Sequence, residues 1–251
     1  MSIVLLLALW ALPATLSNPQ VIPAGTILPV RLDTALTPRK CKPGEPIHAR
    51  LMQAVRLPDG RTIRAGAKVA GHVIRISGPD DAEGGEIAFR FDRMKTSRTT
   101  IPVTVSLRAL ASFMEIEDAR IPAMGPDRGT SEEDYTTQQV GGDVVYRGGG
   151  PVMSRGRVVG VPVPDGVLVR PLANPEGGCR GAIYGNDHPQ ALWLFAADAC
   201  GTYGLPHVTI RHAGRSAPIG EIVLRAGKGH LNVRGGAGML LRVIQEGDQA
   251  E

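Results

Sequence analysis

The chain has 251 residues, a formal net charge of +4 and 43% hydrophobic residues, which is typical of a folded globular protein with a sizeable core. Its 32 glycines and 20 prolines disfavour long helices and favour many short strands joined by turns. Aromatic residues make up only 4%, and the basic residues form no run of five or six along the chain. Both features argue against a nucleic-acid-binding protein and predict an ordinary mixed surface.

The first residues, 1–17, are similar to a signal peptide. The apolar run from Ile3 to Ala11 is too short to span a membrane, which needs about 20 residues. Small residues at Thr15 and Ser17 offer a cleavage site before Asn18. No Lys or Arg precedes the apolar run, and the alternative is a buried first strand. With cleavage, no later segment is long enough to anchor the mature chain, so the sequence predicts export.

A short pattern of a β-branched residue, a two-residue step, a glycine and an alternating apolar stretch occurs three times. It indicates a tight turn in which glycine adopts a positive φ, followed by a half-buried strand. The unequal spacing of the copies excludes a solenoid. The copies are residues 21–30 around Gly25, residues 63–73 around Gly66 and residues 233–243 around Gly236.

Residues 18–113 are predicted to form a β core. Strand-like segments alternate with turns throughout, and Pro58-Asp59-Gly60-Arg61 is a strong hairpin signal. About eight strands in this length describe a meander that forms an antiparallel barrel or a sandwich. The predicted strands beyond the repeated units are 31–36, 47–52, 54–57, 74–76, 86–91 and 101–107.

Residues 114–157 contain few apolar side chains, an acidic group at 132–134 and the sequence Gly148-Gly149-Gly150-Pro151. This composition predicts a long flexible loop or linker in the middle of the chain. The glycines are not followed by the Lys and Ser/Thr of a phosphate-binding loop.

Strands resume in residues 158–251, which complete the same fold or form a small second β domain. Clear examples are 158–161, 167–169, 208–210 and 222–224. The segment from His188 to Ala199 fits either a helix or a buried strand, and its β surroundings favour the strand.

Two of the three cysteines, Cys179 and Cys200, are 21 positions apart, and we expect them to form a disulfide. Cys41 is then left over, as a buried thiol or as the partner in a different pairing. A structural metal site needs further ligands at short spacing, and the sequence has no CxxC or HxxxH motif.

The search for catalytic groups finds no assignable residues. There is no GxSxG motif, and no metal or cofactor site is predicted. The alternative to a non-enzymatic protein is a small-ligand-binding protein or hydrolase with its site between Cys179 and His212. Its polar and aromatic candidates are Asp187, His188, Trp193, Asp198 and Tyr203.

About half of the chain, from Ile22 to about Leu110, resembles the β-barrel core of the TrbI-type channel proteins of conjugation and type IV secretion. The residues that carry the resemblance are Ile22-Pro23-Ala24-Gly25-Thr26 and Ile63-Arg64-Ala65-Gly66-Ala67, and the stretch from Val233 to Val243 is similar to that family's last strand. The chain lacks the family's Pro-rich spacer and its hydrophobic helical pair. The resemblance implies a β-barrel in the cell envelope and supplies no catalytic residues.

A set of bacterial secreted proteins without a defined activity is also similar, through the opening unit and Ala199-Cys200-Gly201-Thr202-Tyr203-Gly204. Together these observations favour an exported, non-enzymatic structural or interaction domain, periplasmic or secreted, that contacts an envelope protein partner. The sequence leaves its oligomeric state open.

Overall fold

The computed structural model describes residues 21–78, 84–96, 99–131, 135–180 and 188–244, and the mainly β class is confirmed. The predicted signal peptide and Asp187 lie outside these ranges. In chain order the strands are β1 (Ile27–Leu32), β2 (Pro46–Leu51), β3 (Val55–Arg56), β4 (Thr62–Ile63), β5 (Lys68–Ser77), β6 (Glu86–Lys95), β7 (Thr100–Pro102), β8 (Val105–Ala111), β9 (Pro122–Met124), β10 (Thr136–Gln138), β11 (Val144–Tyr146), β12 (Val152–Ser154), β13 (Arg157–Val163), β14 (Gly166–Val169), β15 (Gln190–Ala191), β16 (Gly201–Tyr203), β17 (Val208–Ala213), β18 (Ile222–Ala226) and β19 (Gly238–Val243).

Ten strands form the first sheet, in the order β16-β8-β19-β1-β2-β5-β6-β18-β17 with β7 also beside β6. The pairing of β16 with β8 is parallel, whereas its other strand pairs are antiparallel. The sheet curls, and its two end strands, β16 and β17, lie close together. Residues 204–207 connect these strands, and the Thr202 hydroxyl donates to the Val208 carbonyl at 2.9 Å. Those two strands do not pair as a ladder, so the sheet is curled but open.

The three predicted glycine turns are confirmed and share one hydrogen-bonding pattern. Gly25, Gly66 and Gly236 have φ values of 85°, 83° and 90°, and in each turn the N–H of the fourth residue donates to the carbonyl of the first. This geometry belongs to a type II turn, which requires a positive φ at its third residue. Each glycine N–H also donates to a residue of a neighbouring strand, whose own N–H donates back to the residue after the glycine. These reciprocal bonds are 2.7–2.9 Å long and join Gly25 to Val243, Gly66 to Leu51 and Gly236 to Leu32.

A fourth turn, around Gly44, repeats the device. Gly44 has φ 83°, its N–H donates to Val73 at 2.8 Å, and the Val73 N–H donates to Glu45 at 2.9 Å. The four turns lead into β1, β2, β5 and β19, which are adjacent in the sheet. In each of the pairs β1–β19 and β2–β5, the turn before either strand is hydrogen-bonded to the other strand, so both pairs have an approximate internal two-fold symmetry.

The second sheet has seven strands in the order β15-β14-β13-β12-β11-β10-β9, all antiparallel. Residues 114–157, for which the sequence predicts a flexible loop, instead contribute four of these strands, the short helix α1 (Phe113–Asp118) and a 3-10 turn (Pro126–Arg128). The triple glycine lies in the hairpin connection between β11 and β12. Each of these four strands is only three residues long, and β10 buries the polar side chains of Thr136 and Thr137 instead of an apolar face, so the segment lacks a long alternating apolar pattern.

Helix α1 begins where Ser112 accepts a hydrogen bond from the Glu115 N–H at 3.2 Å, which is an N-terminal cap. Within the described ranges, neither helical segment is long and apolar enough to cross a membrane. The segment from His188 to Ala199, predicted as a strand with a helix as the alternative, contains the two-residue strand β15 followed by turns.

Two hydrophobic cores lie on opposite faces of the first sheet. Leu28, Val30 and Leu32 point into the core inside the curl, whereas Ile27 on the other face of β1 packs in a second core with residues of the second sheet. Every residue of β8 is buried, because this strand is covered on both faces. Strand β2 alternates exposed and buried residues, since its outer face is uncovered. The second sheet therefore covers one part of the first sheet and leaves β2, β5 and β6 open to solvent.

Gln53 joins the two sheets. Its side-chain nitrogen donates to the Val167 carbonyl at 2.7 Å, and its side-chain oxygen accepts from the Trp193 N–H at 2.6 Å and the Val167 N–H at 3.3 Å. A buried amide with three satisfied hydrogen bonds fixes the position of β14 relative to the end of β2.

Replacing a turn glycine by alanine tests the turn device. Gly66 has open space where a Cβ would lie, so Gly66→Ala lowers the free energy of unfolding only through its positive φ, by about 1–2 kcal/mol. In Gly236→Ala the new Cβ would also lie 2.5 Å from the Phe113 ring, and the loss is larger by about 1 kcal/mol or more. Urea denaturation of both variants measures the difference, and equal losses would contradict the packing at Phe113.

Candidate functional site

The region predicted as a possible active site, between Cys179 and His212, is held together by a disulfide. Cys179 and Cys200 are bonded, with their Cα atoms 6.0 Å apart, as predicted, and Cys41 is a buried free thiol. Cys179 belongs to a loop closed by its backbone bonds to Asn174, and Cys200 immediately precedes β16. The disulfide therefore fastens this loop to the end of the first sheet, and neither cysteine offers a free thiol as a nucleophile.

A buried arginine lies beside the disulfide. Leu241 pairs with Leu107 and Leu240 with Ala109, so Arg108 is the extra residue of a β-bulge in β8. Its guanidinium donates a short hydrogen bond to the Leu172 carbonyl. Burial lowers the pKa of Arg108 to about 10, which still leaves the side chain charged at neutral pH.

Tyr203 and the two carboxylates of Asp143 and Asp198 complete this polar cluster. The Tyr203 hydroxyl accepts a hydrogen bond from the Cys200 N–H at 2.9 Å, and burial raises the pKa of Tyr203. Burial also raises the pKa of Asp143, although the hydrogen bond from the Ala197 N–H at 2.7 Å favours its charged form. Asp198 forms an ion pair with Arg155 at 3.2 Å.

The structure does not assemble the predicted ligand candidates into one pocket. Tyr203 and Asp198 lie beside the disulfide, but both are engaged by protein groups. His188 contacts the Gln190 side chain, with 2.9 Å between their Nε2 atoms. Trp193 is only 4% exposed and packs in the second core. Within the described ranges no three His, Cys, Asp or Glu side chains are grouped to hold a metal ion. We interpret this region as a structural cluster that stabilises the packing of the two sheets.

The open outer face carries a row of four cationic residues. Arg31, Arg50, Lys68 and Lys95 are successive cross-strand partners on β1, β2, β5 and β6. Cross-strand partners point to the same face of a sheet, so these four side chains lie side by side. Arg50 is neutralised by Asp33, with Nε and Oδ2 2.9 Å apart. We call this set the cationic row.

A cavity of about 730 Å³ adjoins one end of the cationic row. Lys68 and Lys95 contribute to it, together with Arg61 and Arg64 from the turns that flank β4. Arg61 is paired with Asp59 at 2.6 Å, whereas no carboxylate of the described residues forms an ion pair with Arg64, Lys68 or Lys95. The buried apolar residues at the cavity are Leu57, Ile63 and Ile101.

The sequence analysis missed the cationic row because its members are far apart in the chain. On β2 and β6 the members of the row are preceded, at a spacing of two, by other residues that point outward, namely His48 before Arg50 and Arg93 before Lys95. This alternation was the available signal. Only the strand order and register show that the four positive charges are neighbours.

No protein-family model matches this chain, and no curated protein sequence is significantly similar to it. The similarity to the TrbI-type barrel core stays a prediction from its short motifs. The function is therefore inferred from the geometry of the cationic row, the cavity and the disulfide.

Removing the disulfide should destabilise the protein without creating a reactive site. Changing both Cys179 and Cys200 to Ala is expected to lower the free energy of unfolding by about 3 kcal/mol, since the bond closes a loop across 21 positions. Urea denaturation measures the loss. Titration of the denatured wild-type protein with a thiol reagent should find one free cysteine, Cys41, and a count of three would contradict the bond.

Reversing one charge of the cationic row should stabilise the fold. Lys95→Glu converts the Lys68–Lys95 cross-strand pair from like to opposite charges, and we expect the free energy of unfolding to rise by about 0.2–1 kcal/mol. The gain should shrink at high salt, because these side chains are exposed. Lys228→Glu, an equal charge change in the loop after β18, is the control and should give no such gain. A loss of stability in Lys95→Glu would contradict the repulsion.

Proposed function

We propose that the protein is exported and acts in the bacterial cell envelope as a non-enzymatic interaction domain that binds an anionic partner on the cationic row. The observation that carries the proposal is the adjacent pair Lys68 and Lys95 on an uncovered sheet face, with which no carboxylate of the described residues forms an ion pair. Charged groups in protein structures are normally paired or widely spaced, since adjacent like charges are destabilising. A partner with negative charges would remove this repulsion and gain affinity from it.

The disulfide supports the export part of the proposal. Disulfides persist in oxidising compartments such as the periplasm and are rare in the reducing cytosol. The bond between Cys179 and Cys200 fastens the loop closed by Asn174 and Cys179 to the start of β16. The apolar segment from Ile3 to Ala11 supplies the matching export signal. The similarity to TrbI-type envelope proteins points to the same compartment.

Fractionation of cells that express the full chain tests this proposal. We expect a shortened form in the periplasmic or secreted fraction, with one free thiol, and unprocessed chain with three reduced thiols in the cytosol would contradict export. The purified mature protein, immobilised, should retain an anionic component of envelope extracts at low salt and release it at high salt.

A matched pair of variants assigns that retention to the cationic row. The double variant Lys68→Gln, Lys95→Gln should lose retention. The control variant Arg225→Gln, Lys228→Gln removes the same net charge elsewhere on the surface and should keep it. Equal loss in both variants would show that retention depends only on the overall basic charge and would contradict a defined site.

A further inference from the structure

We infer that the cavity beside the cationic row binds a phosphorylated ligand, with Arg64, Lys68 and Lys95 holding its phosphate groups. This inference rests on the proposed function and names the chemistry of the anion. The three side chains line the same cavity and form no ion pair with the described residues. Asp59, the acidic residue closest to Arg64 in sequence, forms an ion pair with Arg61, and Asp92, the closest to Lys95, is paired with His72 and Arg93.

The arrangement of the two lysines points to a ligand with concentrated negative charge. Lys68 and Lys95 are direct partners on the antiparallel strands β5 and β6, so their Cβ atoms are about 4.5–5.5 Å apart. A single carboxylate carries one negative charge and compensates only one of the two ammonium groups. A phosphate ester carries a charge of about −1.5 to −2 and three acceptor oxygens, which matches two neighbouring ammonium groups.

Arg64 adds recognition that a simple ion pair lacks. Its guanidinium is planar and presents several N–H donors, which suits two oxygens of one phosphate. Arg64 is the first residue of the Gly66 turn, and Lys68 begins the strand that follows. The reciprocal bonds between Gly66 and Leu51 hold this turn against β2, so the sites of both cations are fixed before a ligand binds.

The size of the cavity favours a phosphorylated organic molecule over a bare phosphate ion. Sites for small organic molecules are typically about 300–1,000 Å³, and this cavity of about 730 Å³ is within that range. The Thr62 side chain at the same cavity supplies a hydroxyl group for hydrogen bonding. Leu57, Ile63 and Ile101 are largely buried in the core but also line the cavity, and they give it an apolar side.

Isothermal titration calorimetry with the purified mature protein tests the inference. The probes are fructose 1,6-bisphosphate, inorganic pyrophosphate and citrate, the last being a carboxylate with a similar total charge. We expect the two phosphate probes to bind, and citrate to bind at least about tenfold more weakly. Lys95→Gln should weaken phosphate binding by about tenfold or more, while Lys228→Gln leaves it unchanged.

A second arm identifies the source of the phosphate. Sedimentation with vesicles of phosphatidylcholine containing phosphatidic acid measures binding to a lipid headgroup. Binding to the soluble probes alone would assign a soluble ligand, whereas binding to the vesicles as well would assign a lipid headgroup. Either result supports phosphate recognition if Lys95→Gln abolishes the binding.

Other outcomes overturn the inference. Citrate binding as tight as the phosphate probes would replace phosphate by carboxylate recognition. The absence of binding to any probe would exclude the cavity as an anion site. In either case, retention of an anionic envelope component by the wild-type protein, lost only in the Lys68→Gln, Lys95→Gln variant, would still support the proposed function.

Discussion

The reciprocal hydrogen bonds between the glycine turns and the neighbouring strands set the register of the first sheet. Each turn makes two backbone hydrogen bonds with a single residue of the neighbouring strand. If the two strands shifted by one residue relative to each other, both bonds would break. Because side chains alternate between the faces of a strand, the same slip would move every inward side chain to the outer face. The four turns thus decide that Val30 and Leu51 lie inside the curl, and that Arg31 and Arg50 lie outside it.

The turns also place the candidate binding site, because register determines which charges are neighbours. The bond from Gly66 to Leu51 aligns β5 with β2 so that Lys68 lies opposite Arg50. Strand β6 then brings Lys95 opposite Lys68. A local backbone requirement for positive φ at one glycine is therefore linked, through strand alignment, to a row of positive charge that spans four strands.

The second sheet divides the outer face of the first sheet into two parts with different roles. It buries the outer sides of β8 and β19 and the start of β1, where Ile27, Ala109 and Leu240 form part of the second core. It leaves β2, β5 and β6 uncovered, and these strands carry Arg50, Lys68 and Lys95. One face of a single sheet is apolar where protein covers it and carries charged side chains, including the cationic row, where protein does not.

The features that the sequence predicted are those that depend on nearby residues. A glycine at a fixed position before an alternating stretch predicts a turn and a strand wherever they pair, and Gly25, Gly66 and Gly236 follow this rule. The disulfide was predictable because few cysteines compete for pairing. The strands between residues 122 and 154 were not, since they are three residues long, and the turn between β10 and β11 buries the polar side chains of Gln139 and Asp143, whose partners come from distant segments. The cationic row was missed because the order of the strands in the sheet cannot be deduced from local composition.

The charged region around Arg108 and the one around Lys68 and Lys95 differ in whether other groups of the chain compensate their charges. This difference distinguishes a structural role from the proposed binding role. Arg108 lies buried, but it donates to the Leu172 carbonyl, and the neighbouring carboxylate of Asp198 favours its positive charge. A buried charge with such partners contributes to the cohesion of the fold, and removing one partner destabilises it. Lys68 and Lys95 lie in the opposite situation, exposed and beside one another, so either lysine could be replaced with a gain in stability. Because the pair of Lys68 and Lys95 is expected to destabilise the fold, we explain it by ligand binding and not by a structural role. For this reason the proposed binding site is at the open face and not at the disulfide.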